Sequence, residues 1–189
     1  MKQAILIHGF QKIDEYNDIN IPSPSNSNWF PWLQNMLNIH GVLTQTPEMP
    51  TPYLPHYDEW AQAFNKFTVD SETMLIGHSM GSGFIIRWLS DNPKARLDKV
   101  VLVAPWIDIE KRLDSDFFNF TIRRDIAKQC KSLTIICSDN DMKRINRTVE
   151  ICKQQINNIR VITMHNMGHF LTRHMSTESF IELYDLLIE

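Results

Sequence analysis

Cysteine is scarce in this chain of 189 residues, and the three present, Cys130, Cys137 and Cys152, form neither a C-x-x-C pair nor a zinc-finger spacing. An odd, unpatterned set excludes a disulfide framework and a structural metal held by thiolates, so all three read as reduced thiols. None stands at a strand-to-helix turn, and Cys137 lies inside an apolar strand-like run, which sets a cysteine nucleophile aside. Long hydrophobic runs are also lacking. The apolar stretch 4–7 stops at His8 and Gly9, too short for a signal-peptide core or a membrane span, so a cytoplasmic chain without a membrane partner is expected. Nor does one sign of charge dominate: the formal net charge is -3, the pI is near 6.2, and Lys and Arg are scattered. No basic stripe offers a footprint for a phosphate backbone, and nucleic acid is not an expected partner.

What is present is the composition of a packed protein, 43% hydrophobic and 22% charged, at a length that suits a single domain over residues 1–189. Runs 3–7, 42–46, 74–77, 99–103, 133–137 and 160–164 are rich in Val, Ile and Leu and do not alternate with polar residues. That pattern belongs to strands buried on both faces of a parallel sheet. Helix-like stretches lie between them at 29–39, 57–67, 79–90, 122–129 and 146–156, and a last one at 177–188 is expected to start from a Ser176 or Thr177 cap. Strand and helix in alternation imply an α/β three-layer sandwich. Segment 11–28, with Pro22 and Pro24, reads as a long irregular connection, and 47–55, with Pro47 and Pro55, as a second rim loop.

The most specific signal is Gly77, His78, Ser79, Met80, Gly81, a G-x-S-x-G pentapeptide set directly after an apolar strand and before a helix. In that setting the serine is held on a sharp turn with its hydroxyl at the carboxyl edge of the sheet, and small flanking residues allow close backbone approach. A serine hydroxyl needs a base. Of seven histidines, His169 sits just past the last strand, at the same sheet edge as Ser79; His165 and His174 are less well placed. An acid to orient the imidazole belongs on the preceding loop, Ser138, Asp139, Asn140, Asp141. Asp141 is favoured because it has cleared the turn, Asp139 suits the turn itself, and Asp108 is a third option. Backbone donors for an oxyanion are expected at Met80 and in the loop after the first strand, at Phe10 or Gln11, with His8 a structural residue of that loop.

These residues resemble the small serine hydrolases of the retinoblastoma-binding-protein-9 and YdeN type, within the α/β-hydrolase superfamily. The likeness runs through Ile5 to Gly9, Trp29 to Leu33, Glu48 to Pro50, Asp58 to Trp60, the Gly-His-Ser-Met-Gly turn, Val103 to Pro105 and Gly168 to Phe170. It implies a six-stranded parallel sheet of order 2-1-3-4-5-6 without a substantial lid, and a triad of Ser79, Asp141 and His169. The chain departs from the pattern after the acid, where Met142, Lys143 and Arg144 replace a Pro and a short apolar run. The expected activity is cofactor-independent and metal-independent hydrolysis of a small-molecule acyl substrate such as a carboxylic ester, through an acyl-serine intermediate. Phe10, Trp106 and Phe170 are the candidate pocket aromatics. The alternative is a noncatalytic protein-binding module on the same scaffold; no Leu-x-Cys-x-Glu peptide is present to support transferring pocket-protein binding.

Overall fold

A computed structural model describes residues 2–189. Six parallel strands form one sheet in the order β2-β1-β3-β4-β5-β6, with β1 Gln3–Ile7, β2 Leu43–Gln45, β3 Thr73–His78, β4 Leu97–Val103, β5 Cys130–Ser138 and β6 Arg160–Met164. This is the expected α/β-hydrolase order. Every residue of β3 is buried, so side chains on both of its faces are covered, which is why the strands show no polar alternation. The strand order reverses between β1 and β3, so the loops after these two strands meet at the carboxyl edge, where open α/β sheets place their sites.

The helices are α1 Ile13–Tyr16, α2 Phe30–Ile39, α3 Tyr57–Phe64, α4 Met80–Asp91, α5 Lys143–Gln155, α6 Thr172–Met175 and α7 Ile181–Ile188. Helix α2 begins with Pro31 in its first turn, where a missing N–H leaves no bond unmade. It packs against α7, while α3 and α4 share an aromatic cluster in which the rings of Trp60 and Phe64 both meet Phe84. Trp60, Phe64 and Phe84 are among the fully buried side chains of the core.

Three expectations need correction. Segment 11–28 is not wholly irregular, because it holds α1 and a 3₁₀ turn at Pro24–Asn26. The stretch 122–129 forms only a 3₁₀ turn at Ile126–Gln129, and residues 104–125 run as turns and bends. The last helix starts at Ile181 rather than 177: Ser176 adopts a left-handed conformation (φ 58°) that ends α6, a turn without an apolar periodicity to announce it.

Candidate active site

Ser79 joins β3 to α4 with φ 54° and ψ -115°, a backbone conformation few non-glycine residues adopt. Its surroundings hold it there. The Ser79 N–H donates to the Val103 carbonyl at 2.9 Å, and the Trp106 N–H donates to the Ser79 carbonyl at 3.1 Å, so the end of β4 and the loop beyond it fix both sides of the turn. Close packing explains the glycines: a Cβ on Gly81 would lie 2.1 Å from the Ile7 carbonyl oxygen, and one on Gly77 would lie 2.6 Å from the Ser82 backbone.

The hydroxyl of Ser79 lies 2.9 Å from His169 Nε2, and His169 Nδ1 lies 2.9 and 3.1 Å from the two carboxylate oxygens of Asp141. A carboxylate accepts only, so His169 carries its proton on Nδ1 and turns the Nε2 lone pair to the serine hydroxyl. The side chains of Asp141 and His169 are 1% and 11% exposed, which keeps their interaction largely out of water. Asp141 also accepts the Met142 N–H.

The other acids are occupied elsewhere. Asp139 accepts from His165 Nδ1 at 2.7 Å and from the Asn166 N–H at 2.9 Å. The Asn166 amide, then the His165 ring, hold its carboxyl below the usual carboxylate range. It therefore ties the loop after β5 to the loop after β6, beyond the local turn expected of it. Asp108 accepts the N–H groups of Arg112 and Leu113 and serves its own loop.

Sequence reading missed how these two loops are laced together. Ser138 Oγ accepts the Met167 N–H at 2.9 Å and donates to Asn140 Oδ1, which also accepts the Gly168 N–H at 2.7 Å. With Asp139 on Asn166 and Asp141 on the His169 ring, every residue of 138–141 holds a residue of 165–169. The polar run Ser-Asp-Asn-Asp at a strand end was the available signal. His78 was missed as well. Its Nε2–H donates to the His169 carbonyl at 2.9 Å, and burial, then the neighbouring His169, push its pKa down to about 3.

On the other side of Ser79, the Gly9 α-carbon sits so close that a Cβ would be 3.0 Å from Ser79 Cβ. The loop after β1 is fixed by His8: the Met49 N–H donates to Nε2 at 2.8 Å, so Nδ1 carries the proton and donates to the Gly9 carbonyl at 2.8 Å. Burial holds His8 below its ordinary pKa against the opposing charge of Glu48. Among the described residues the Phe10 amide has no hydrogen-bond partner, and the Met80 amide, first of α4, has no intrahelical one.

The pocket aromatics are placed unequally. Phe10 is 43% exposed on the loop beyond Gly9. Trp106 donates its backbone N–H to the Ser79 carbonyl and turns its mostly buried ring against Phe118, 5.6 Å between centroids. Phe170 is fully buried and stacked on Phe180 at 5.4 Å, so, contrary to expectation, it is a core residue with no surface to offer a substrate. The buried thiol of Cys152 and the half-buried one of Cys130 are pushed up to about 12 by desolvation, as suits inert cysteines. Among the described residues no group of His, Cys, Asp and Glu is arranged to hold a metal, and no helix is long and apolar enough to cross a membrane.

Comparison with known proteins bears on the family and the fold. The family model "Serine hydrolase" matches residues 21–185. YdeN of Bacillus subtilis (strain 168), a protein carried under a hydrolase name, is 27% identical over 195 residues, covering 98% of this chain and 94% of YdeN. The crystal structure of the ydeN gene product superposes with a TM-score of 0.84 at 25% identity, covering 100% of this chain and 97% of the other. Est1E from Butyrivibrio proteoclasticus shares the fold at 15% identity, TM-score 0.66, covering 98% and 85%.

Proposed function

The chain belongs to the serine hydrolase family, and from that premise we propose that it cleaves small carboxylic esters or related acyl compounds through an acyl-Ser79 intermediate. The observation that carries this reading is the unbroken path Ser79 Oγ, His169 Nε2, His169 Nδ1, Asp141, with steps of 2.9 Å on each side of the imidazole. His169 takes the Ser79 proton as Oγ attacks the acyl carbon, then returns it to the leaving group. In the second half water attacks the acyl carbon as His169 again accepts a proton, and collapse breaks the acyl–Oγ bond, with His169 returning that proton to Ser79 as the acid leaves. Asp141 holds the ring in the required tautomer and balances the imidazolium.

The Phe10 and Met80 amides, both without a hydrogen-bond partner among the described residues, stand for the oxyanion hole, with Met80 also at the positive end of α4. Phe10 at 43% exposure and Ile13 at 50% put apolar surface just beyond Gly9, which suits the acyl or alcohol part of a modest ester. The preference for short acyl groups is supported by residues 104–125, which contain no helix or strand and settle onto α4, where Phe118 packs on Gly83.

Intact mass after incubation with a fluorophosphonate probe tests the reading without knowledge of the substrate. The expected result is a single adduct on the native chain that Ser79→Ala loses; folded native protein that takes up no probe would instead favour a noncatalytic binding module. Screening p-nitrophenyl esters of increasing chain length then tests the substrate class, with turnover expected to fall beyond short acyl chains.

A further inference from the structure

His169 is held by more than its acid. Its carbonyl accepts from His78 Nε2–H at 2.9 Å, and its own N–H donates to His174 Nδ1 at 3.0 Å, so two imidazoles grip the main chain of a third. The approach of His174 is built in. Gly168, at φ 52°, lies directly over the His174 ring, and a Cβ there would be 2.8 Å from His174 Cγ and 2.9 Å from Nδ1. Only glycine, immediately before His169, admits the imidazole from α6 beneath the turn.

The two histidines differ in access. His78 is buried inside the sheet edge, whereas His174 is exposed and lines an open hollow of about 430 Å³ together with Asp141, Met142, Gly168, His169 and Leu171. Solvent protons reach His174 directly.

We propose that His174 is a positioning residue of the hydrolase site, and that its protonation releases the His169 main chain and lowers nucleophile activation at acid pH. This rests on the serine hydrolase reading. An imidazole that accepts an N–H on Nδ1 must be unprotonated there, and imidazolium has only donors to offer. Protonated His174 therefore sets N–H against N–H, and the turn carrying His169 loses its grip on that side. The groups facing His174 are Arg173 on α6, His169 on its own loop and Asp141 from the loop after β5. Partial desolvation, Arg173 and His169 hold His174 below its ordinary 6.5, against the opposing pull of Asp141. The contact is thus intact at neutral pH and is lost only as pH falls through the lowered folded pKa, below 6.5.

The test is the rate of fluorophosphonate labelling from about pH 5 to pH 8.5 for the native chain, His174→Ala and His174→Asn, with Ser79→Ala as the blank. Asn places Oδ1 where Nδ1 stood, and it accepts the His169 N–H without titrating. His174→Ala is expected to label about tenfold or more slowly at the alkaline end, with His174→Asn within about threefold of native. On the acid limb, the slope of log rate against pH should be shallower by about one proton in His174→Asn. Groups that do not face His174 are common to both chains and cancel. Equal slopes, or His174→Ala labelling at the native rate, would overturn the proposal. Should the native chain take up no probe, the hydrolase reading fails by itself, and the ¹⁵N–¹H resonance of the His169 amide still decides the contact: in the native chain it must track the His174 ring signals, the part of its shift that tracks them must be absent in His174→Asn, and a native resonance that does not track His174 overturns the proposal too.

Discussion

Asp139 and Asp141 stand on one loop and differ in what reaches them. Asp141, its side chain 1% exposed, meets the Nδ1 of His169 at 2.9 Å, whereas Asp139 meets His165, whose side chain is 85% exposed. Replacing Asp141 by Asn removes the acceptor that fixes the proton on Nδ1, and the serine then faces the wrong tautomer. The rate of fluorophosphonate labelling of Asp141→Asn is expected to fall by about 10³ to 10⁴, the scale seen when a triad acid is made an amide. Asp139→Asn keeps an oxygen for the Asn166 N–H and loses only an exposed pairing, so a decrease of less than about tenfold is expected. Labelling that survives the first change and not the second would reverse the assignment.

At the scale of elements, the β1 loop and the β3–α4 turn converge through main-chain contact, while side chains tie in the β6 loop. Gly81 shows the tolerance: a Cβ would lie 2.1 Å from the Ile7 oxygen and 2.4 Å from the His8 oxygen, and both obstacles are main chain at the end of β1. Gly81→Ala must push α4 away from β1, which is overpacking of about 1 to 3 kcal/mol or more. Urea unfolding should report that loss, and probe labelling should fall further than stability alone explains, because the Met80 amide shifts away from the Gly9–Phe10 loop. A variant with native stability and native labelling would show that this close approach is not needed.

The same scale separates what could be read in the sequence from what could not. The strands were legible, since runs such as 74–77 are apolar on both faces and stop at Gly-His or polar turns; the structure lengthens some, to Thr73–His78 and Cys130–Ser138, and shortens 42–46 to Leu43–Gln45. Ser79, Asp141 and His169 were legible because each follows a strand at the same sheet edge. The end of the chain was not: α6 is one turn held by backbone bonds near Leu171, and its glycine-free stop at Ser176 carries no pattern. Nor could spacing tell that Phe170 turns inward onto Phe180, or that His78 and His174, far apart in sequence, take the two ends of one residue. Those contacts depend on the direction of side chains across the sheet edge, which periodicity does not encode.

For the whole molecule, the buried histidines set the response to acid. His78 has a folded pKa of about 3 against an ordinary 6.5, with burial the main cause and His169 the second. The unfolded chain therefore binds a proton between these values that the folded chain refuses, so stability is full above 6.5 and declines as pH falls through the window toward 3. His8, lowered in the same direction by burial, adds to the trend. At about pH 4.5 the refusal at His78 alone corresponds to about 2 to 3 kcal/mol. His78→Gln keeps an N–H donor for the His169 carbonyl and does not titrate. Urea unfolding at about pH 7 and pH 4.5 should show the native chain losing about 2 to 3 kcal/mol more than this variant on acidification, since carboxylate contributions are common to both. Parallel losses would mean that His78 protonates inside the fold, and that its neutral imidazole is not what makes the fold sensitive to acid.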